Sequence, residues 1–281
     1  MALFSRLYAV GGVRATLWRL WYPFVTRRLR GEDVRFLNYG YETDPPMGLP
    51  LPPADEADRA CIQLYHHVAT QAELGGKHVL EVSCGHGGGA AYLNQVLRPA
   101  TYTALDLNAA AIRLCEARYN VDGLTFVRGE AELLPFAAET VDAVVNIEAS
   151  HCYADFGQFL REVERVLRPG GHFLYADFRF HDEVPAWNLA LTSTPLELIH
   201  SQSISAEVVR GLDRNAARAE ALVTRCLPKW LHSLGRDFAG IPGSVVYNAL
   251  QRGQVVYHSF CFMKAPADPT ADASAPGTPS T

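Results

Sequence analysis

Five short apolar runs, at 79–82, 102–105, 124–127, 141–147 and 172–176, recur along the middle of the chain. Helical spacing fills the gaps at 90–97, 109–119 and 156–167. No other pattern limits the fold as much. Parallel strands need long crossovers, and helices returning over both faces of a sheet produce this alternation. The expected fold class is α/β, a Rossmann-like sheet with helices on both faces. Apolar residues make up 48% of the 281, enough for one large core.

The flanks divide the chain. Residues 1–54 read as an N-terminal helical and lid extension with a Pro-rich end, and 55–264 as the main domain. Residues 265–281 read as a tail of Ala, Pro, Ser, Thr and Asp too poor in apolar surface to order itself. Within the main domain, 182–234 read as largely helical, an insertion of about 182–235 after the fifth strand broken by Pro185, Pro195 and Pro228. Insertions beside the carboxyl ends of strands shape pockets. Residues 255–263 return to strand character and close the sheet.

Charge and cysteine usage exclude several classes. Lys+Arg 25 against Asp+Glu 30 leaves −5, which gives no reason to seek nucleic acid. Six cysteines without a CxxC pair predict a reduced, cytoplasmic protein. No apolar run reaches the about eighteen residues of a membrane span. Arg6, Arg14, Arg19, Arg27, Arg28 and Arg30 precede the first acid, Glu32, interleaved with Leu3, Phe4, Leu7, Tyr8, Trp18, Trp21 and Tyr22. Such a helix either lies on an anionic lipid surface as a peripheral contact or packs on the domain with its arginines solvated.

The chemistry concentrates in Val79-Leu-Glu-Val-Ser-Cys-Gly-His-Gly-Gly-Gly-Ala90, a strand that ends in glycines and runs into a helix. Such a turn lets the backbone approach a ligand and leaves amides free at the helix start. Gly85-x-Gly87-x-x-Ala90 with Asp106 also satisfies the dinucleotide fingerprint, so an NAD-dependent oxidoreductase is one reading. Glu81 argues against it. A carboxylate at that strand end repels a pyrophosphate and attracts an amino-acid ammonium, which points to S-adenosylmethionine.

The same run resembles the first motif of class I methyltransferases, (E/D)xGxGxG. Glu81, Gly85 and Gly87 match, and Ser83 stands where the first glycine would be. Asp106, Gly129-Glu-Ala-Glu-Leu-Leu-Pro-Phe136 and Leu167-Arg-Pro-Gly-Gly171 before the fifth strand follow in the expected order. The resemblance implies that Glu81 organises the methionine ammonium, that Gly85 and Gly87 admit the methionine portion, and that Asp106 accepts both ribose hydroxyls. It places Glu130 and the Ala131 amide near the adenine, with Ser83, Leu107 and Asn146 completing the cofactor set. Separately, each position has a plain structural reading: a tight turn, a helix cap at Asp106, a solvated loop acid at Glu130.

The fourth run ends in Asn146-Ile-Glu-Ala-Ser-His-Cys-Tyr153, where related O-methyltransferases carry a histidine. His151 is the candidate general base, and Asp177, ending the fifth run, the candidate to orient it. A buried or capping role is the alternative for each. His66 and His67 are sequence neighbours that diverge on a helix, and Cys84 and His86 sit inside the glycine turn, so no metal is expected. Tyr39 and Tyr41 are candidates for an aromatic cover over the cofactor or for core packing.

Trp21-Tyr-Pro23, Tyr41-Glu-Thr-Asp-Pro-Pro-Met47, the Ser-Cys-Gly-His run and Glu148-Ala-Ser-His-Cys-Tyr153 are similar to the mycobacterial phthiotriolone and phenolphthiotriolone dimycocerosate methyltransferases, over residues 17–264. That resemblance implies a hydroxyl on a lipid or polyketide-type molecule as acceptor. A fatty-acid carboxyl group is the alternative. Oligomeric state is not legible.

Overall fold

Seven strands build one sheet: β1 (His78–Val82), β2 (Thr101–Asp106), β3 (Leu124–Arg128), β4 (Val141–Ile147), β5 (Leu167–Phe180), β6 (Glu197–Ser203) and β7 (Val255–Met263). In this computed structural model the described residues are 11–267, with side chains from residue 16 onward. The expectations for Leu3 to Tyr8, for the Arg14 side chain and for most of the tail lie outside them.

The spatial order is β3-β2-β1-β4-β5-β7-β6. β1 pairs in parallel with β2 and β4, whereas β7 runs antiparallel between β5 and β6. This is the α/β fold expected. The antiparallel β7 distinguishes it from the all-parallel dinucleotide sheet of order 3-2-1-4-5-6.

Alternation along β1 shows why the strands form. Val79 joins a core with Leu64, Val68 and Leu93 on one face of the sheet, and Leu80 and Val82 join Val144, Phe159 and Val163 on the other. The covering helices are α1 (Gly11–Arg28), α2 (Arg59–Ala69), α3 (Gly88–Leu97), α4 (Ala109–Arg118), α5 (Phe156–Val166), α6 (Val184–Thr192), α7 (Ser205–Cys226), α8 (His232–Phe238) and α9 (Val245–Gln251). Asn108 and Asp155 cap α4 and α5 through their side chains, accepting from Ala110 N and Gln158 N.

Besides its helices the insertion carries a strand, Glu197–Ser203 (β6). Every residue of that strand is exposed, so it has no apolar periodicity to read, and it exists because the free edge of β7 offers a ladder. One expectation needs correction: the Leu167-Arg-Pro-Gly-Gly171 run lies inside β5 and not before it. Val141 pairs with Leu167 and Ala143 with His172, and the extra residues form an irregularity that Gly170 turns at φ 78°.

The N-terminal helix is part of the domain wall. α1 packs on α4 and on the 3-10 turn Ser150–Cys152. Thr26 links it to the glycine turn. Asn108 Nδ2 donates to Thr26 Oγ1 at 3.0 Å, and Thr26 Oγ1 stands 3.1 Å from His86 Nε2. His86 Nδ1 donates to the Val34 carbonyl at 3.0 Å. Burial lowers His86 to about 4, so its ring is neutral and Nε2 accepts from Thr26. Arg19 pairs with Glu130 across the cleft described next. No helix among the described residues is long and apolar enough to cross a membrane.

Candidate functional site

A cleft of about 1200 Å³, counting its open mouth, lies at the carboxyl ends of β1, β2 and β4, roofed by Trp18, Tyr22, Pro23 and Thr26 of α1. Six of the nine cofactor candidates line it: Ser83, Gly85, Asp106, Leu107, Glu130 and Ala131. Ser83 takes the left-handed conformation, φ 66°, that the motif's glycine would take. That conformation costs a side chain about 1 kcal/mol, and a 2.7 Å hydrogen bond between the Ser83 and Tyr153 hydroxyls offsets it. Asp106 holds the loop, its Oδ2 accepting from Gly85 N at 2.9 Å and its Oδ1 from Asn108 N at 2.8 Å. Each oxygen keeps a second lone pair for a ligand hydroxyl.

Glu81, Gly87 and Asn146 stand behind the cleft wall. Glu81 is 1% exposed, and its carboxylate accepts from Tyr65 Oη at 2.9 Å and Tyr102 Oη at 2.8 Å. Only Tyr65 of this trio reaches the cleft. Gly89 makes this possible, since a Cβ there would fall 1.9 Å from the Tyr65 ring. Gly87, at φ 77°, has no room for a side chain beside Cys115 and Phe126. Asn146 Nδ2 donates to Val82 O at 2.9 Å and Tyr153 Oη at 2.8 Å, which fixes the end of β4 to the end of β1.

The dyad expected from the sequence assembles. His151 Nδ1 donates to Asp177 Oδ1 at 2.8 Å. The carboxylate also accepts from Ser150 Oγ at 2.6 Å and His151 N at 2.9 Å, and Arg179 lies 3.2 Å away. Burial pushes His151 down, but Cys152 and Asp177 outweigh it and raise the imidazole to about 10. Burial pushes Asp177 up, and His151 and Arg179 overcome it, holding the carboxyl well below the usual range. The imidazole, 7% exposed, sits behind Trp18 and Cys152, and its ring centroid is 4.3 Å from that of Phe178. Glu148, Ala149, Cys152 and Tyr153 around it line the cleft.

Sequence reasoning passed over Glu148 as a candidate. It faces the cleft in a left-handed conformation, φ 53°, and its Oε2 accepts from Tyr39 N at 2.9 Å and Tyr257 Oη at 3.0 Å. Backbone strain of this kind collects at functional sites, but no local motif announces it. Tyr65, Tyr153 and Arg19 were also missed as site residues, because their partners lie far away in sequence. Tyr39 and Tyr41 are core, not an aromatic cover: Tyr39 stacks on Phe178 and Tyr41 on His67. No group of three His, Cys, Asp or Glu among the described residues is placed to hold a metal.

The acids of the site make stability depend on pH. Burial raises Glu81 to about 7, Glu148 to about 8 and Asp106 to about 6. The folded chain therefore keeps protons that the unfolded chain releases near pH 4.5, and that advantage disappears as pH climbs through the folded values. His151, raised to about 10, loses its contribution in the same direction. His86, lowered to about 4, opposes them only below its unfolded value near 6.5. The cofactor-free protein is thus expected to lose stability steadily between about pH 6.5 and 9, each such proton being worth about 1.4 kcal/mol per pH unit. Thermal melts across that range check it, and a melting temperature that rises with pH would overturn the assignment.

A family model described as a methyltransferase domain matches residues 80–175. The chain is 53% identical over 248 residues to the phthiotriol/phenolphthiotriol dimycocerosates methyltransferase of Mycobacterium tuberculosis, covering 88% of this chain and 92% of the relative. It is 49% identical over 246 residues to a fatty-acid O-methyltransferase of Mycolicibacterium smegmatis, covering 88% and 89%. Among solved structures, the cyclase SpnF shares the fold with a TM-score of 0.67 at 18% identity, covering 88% of this chain and 95% of that one.

Proposed function

Since this chain belongs to the class I S-adenosylmethionine-dependent O-methyltransferases, alongside the mycobacterial phthiotriol/phenolphthiotriol dimycocerosates enzymes, we propose that its acceptor is a hydroxyl group on a long aliphatic lipid. The observation that carries this reading is the His151–Asp177 pair beside the cleft. A carboxylate acceptor is already an anion and needs no base. An alcohol must give up a proton as it attacks.

The residues present suit the donor. Gly85 presents its backbone to the cleft, Asp106 offers carboxylate lone pairs, and Leu107 and Ala131 give an apolar strip for a flat ring. When bound, S-adenosylmethionine supplies an electrophilic methyl group on a positively charged sulfur. Glu81 is assigned to the ammonium end through Tyr65, whose hydroxyl it holds. Glu130 and the Ala131 amide are assigned to the adenine side, with Arg19 fixing Glu130 from the roof.

His151 is assigned to the acceptor's proton and Asp177 to orienting the ring through Nδ1. The imidazole starts charged in the free protein. It loses its extra proton more readily once the cleft carries a positive charge, because like charges repel. Trp18 and Tyr22 give this end of the cleft an apolar roof.

A second reading, methylation of a fatty-acid carboxylate, is favoured by one observation: an imidazolium at His151 attracts an anion. Incubating the enzyme with methyl-labelled donor and, in parallel, hexadecanol and palmitate, then analysing the products by mass spectrometry, separates the two. Label is expected in a methyl ether. Label only in methyl palmitate would replace this proposal with the second reading.

A further inference from the structure

A second chamber, about 960 Å³ counting its open mouth, lies beside the cleft, walled by α1, α7 and α8. Trp21, Leu29, Leu222, Leu227 and Phe238 face it, all half-buried, so the apolar surface they leave uncovered is the chamber's own lining. Of its charged members, Asp58 is held by Arg35 and Arg218, and Arg28 is exposed with its guanidinium over the Phe24 ring. An apolar cavity has nothing to anchor ordered water and takes up apolar ligands instead.

The chamber adjoins the cleft. Phe36, Leu37 and Asn38 line both. Phe238, a chamber residue, touches Trp18 and Tyr22 of the cleft roof, with ring centroids 6.0 Å and 5.6 Å apart. The wall between the two spaces is therefore a few aromatic rings thick. Asn38 donates from Nδ2 to the Cys61 carbonyl, but its buried Oδ1 has no partner among the described residues. That leaves one acceptor at the junction for a donor arriving with a ligand.

We infer that this chamber binds an alkyl chain of the acceptor lipid, with the chain between α1 and α7 and the hydroxyl reaching past Phe36–Asn38 into the cleft. The inference rests on the lipid-alcohol reading above and adds the site that selects for chain length. Rings at the junction admit a flexible chain by rotating, whereas a rigid polycyclic acceptor has no such path.

Ala219, on the chamber face of α7, is the place to fill it, and Leu222, three residues on, is the second. Parinaryl alcohol, a polyene whose emission rises in apolar surroundings, is titrated into the wild type and into Ala219→Trp and Leu222→Trp, with calorimetric binding of S-adenosylmethionine as the test of folding. The expected result is binding to the wild type, weakened at least tenfold in each variant that still binds the cofactor. The ratio of kcat/KM for hexadecanol over butanol should fall by a similar factor. No binding to the wild type, or equal binding by the filled variants, overturns the inference. If the wild type methylates neither alcohol, the proposed function fails, and the titration alone still decides the chamber.

Discussion

His151→Ala lowers turnover of an alcohol acceptor by about a hundred- to ten-thousand-fold, the worth of a positioned general base. The loss should fall on kcat, because the imidazole sits behind the wall that binds the donor, and calorimetric affinity for S-adenosylmethionine should stay within a few-fold of wild type. His151→Asn separates chemistry from scaffolding. Its amide still donates toward Asp177 but does not take a proton at neutral pH. If the ring accepts the acceptor's proton, Asn is as slow as Ala. If the ring only secures the Ser150–Cys152 turn, Asn restores most of the rate and the assignment fails. A carboxylate acceptor provides the control: it has no proton to give up, so its turnover should fall only by the lost attraction of the imidazolium, far less than that of the alcohol.

Asp177→Ala is expected to cost about 3–5 kcal/mol of folding stability, the penalty for breaking a buried ion pair from one side. Arg179 is 5% exposed and Asp177 is fully buried. Removing the carboxylate leaves Arg179 a desolvated cation without its counter-ion, takes from His151 a charge that holds its proton, and strands the His151 and Phe178 amides, while the Ser150 hydroxyl keeps Tyr175 Oη as a partner. Arg179 retains the Phe178 carbonyl, Ser150 and the rings of Phe156 and Trp187, so the cation is not wholly bare. Urea denaturation checks the figure. A loss under about 1 kcal/mol would mean that those remaining contacts, not Asp177, carry the charge. Asp177→Asn should fall between the two, because it keeps one acceptor but turns a donor toward groups that also donate.

Much of the site was legible because its signals are local. Strand, glycine turn and helix follow one another within residues 79–90, and the acids at 81 and 106 close successive strands. A sheet of parallel strands gathers its carboxyl ends at one edge. His151 and Asp177, at the ends of β4 and β5, meet for the same reason. Legibility failed where a role depends on a distant neighbour. Glu81 was read as facing the ligand. Tyr65 and Tyr102 intercept it, and neither is marked by its own flanking sequence as a partner.

Residue spacing by itself determined the layered architecture and the order of the binding elements, since hydrophobic period and turn chemistry act over a few residues and survive without knowledge of the whole, and the Glu81 carboxylate with the family resemblance pointed to the donor. Tertiary packing alone decided that α1 roofs the cleft, that Arg19 meets Glu130 across 111 positions, that a wholly exposed segment becomes β6, and that a second chamber opens beside the first. Those features arise from surfaces that are distant in sequence and meet only in the folded chain. Their cause is shape and desolvation across long separations, which leave no periodic trace in the chain.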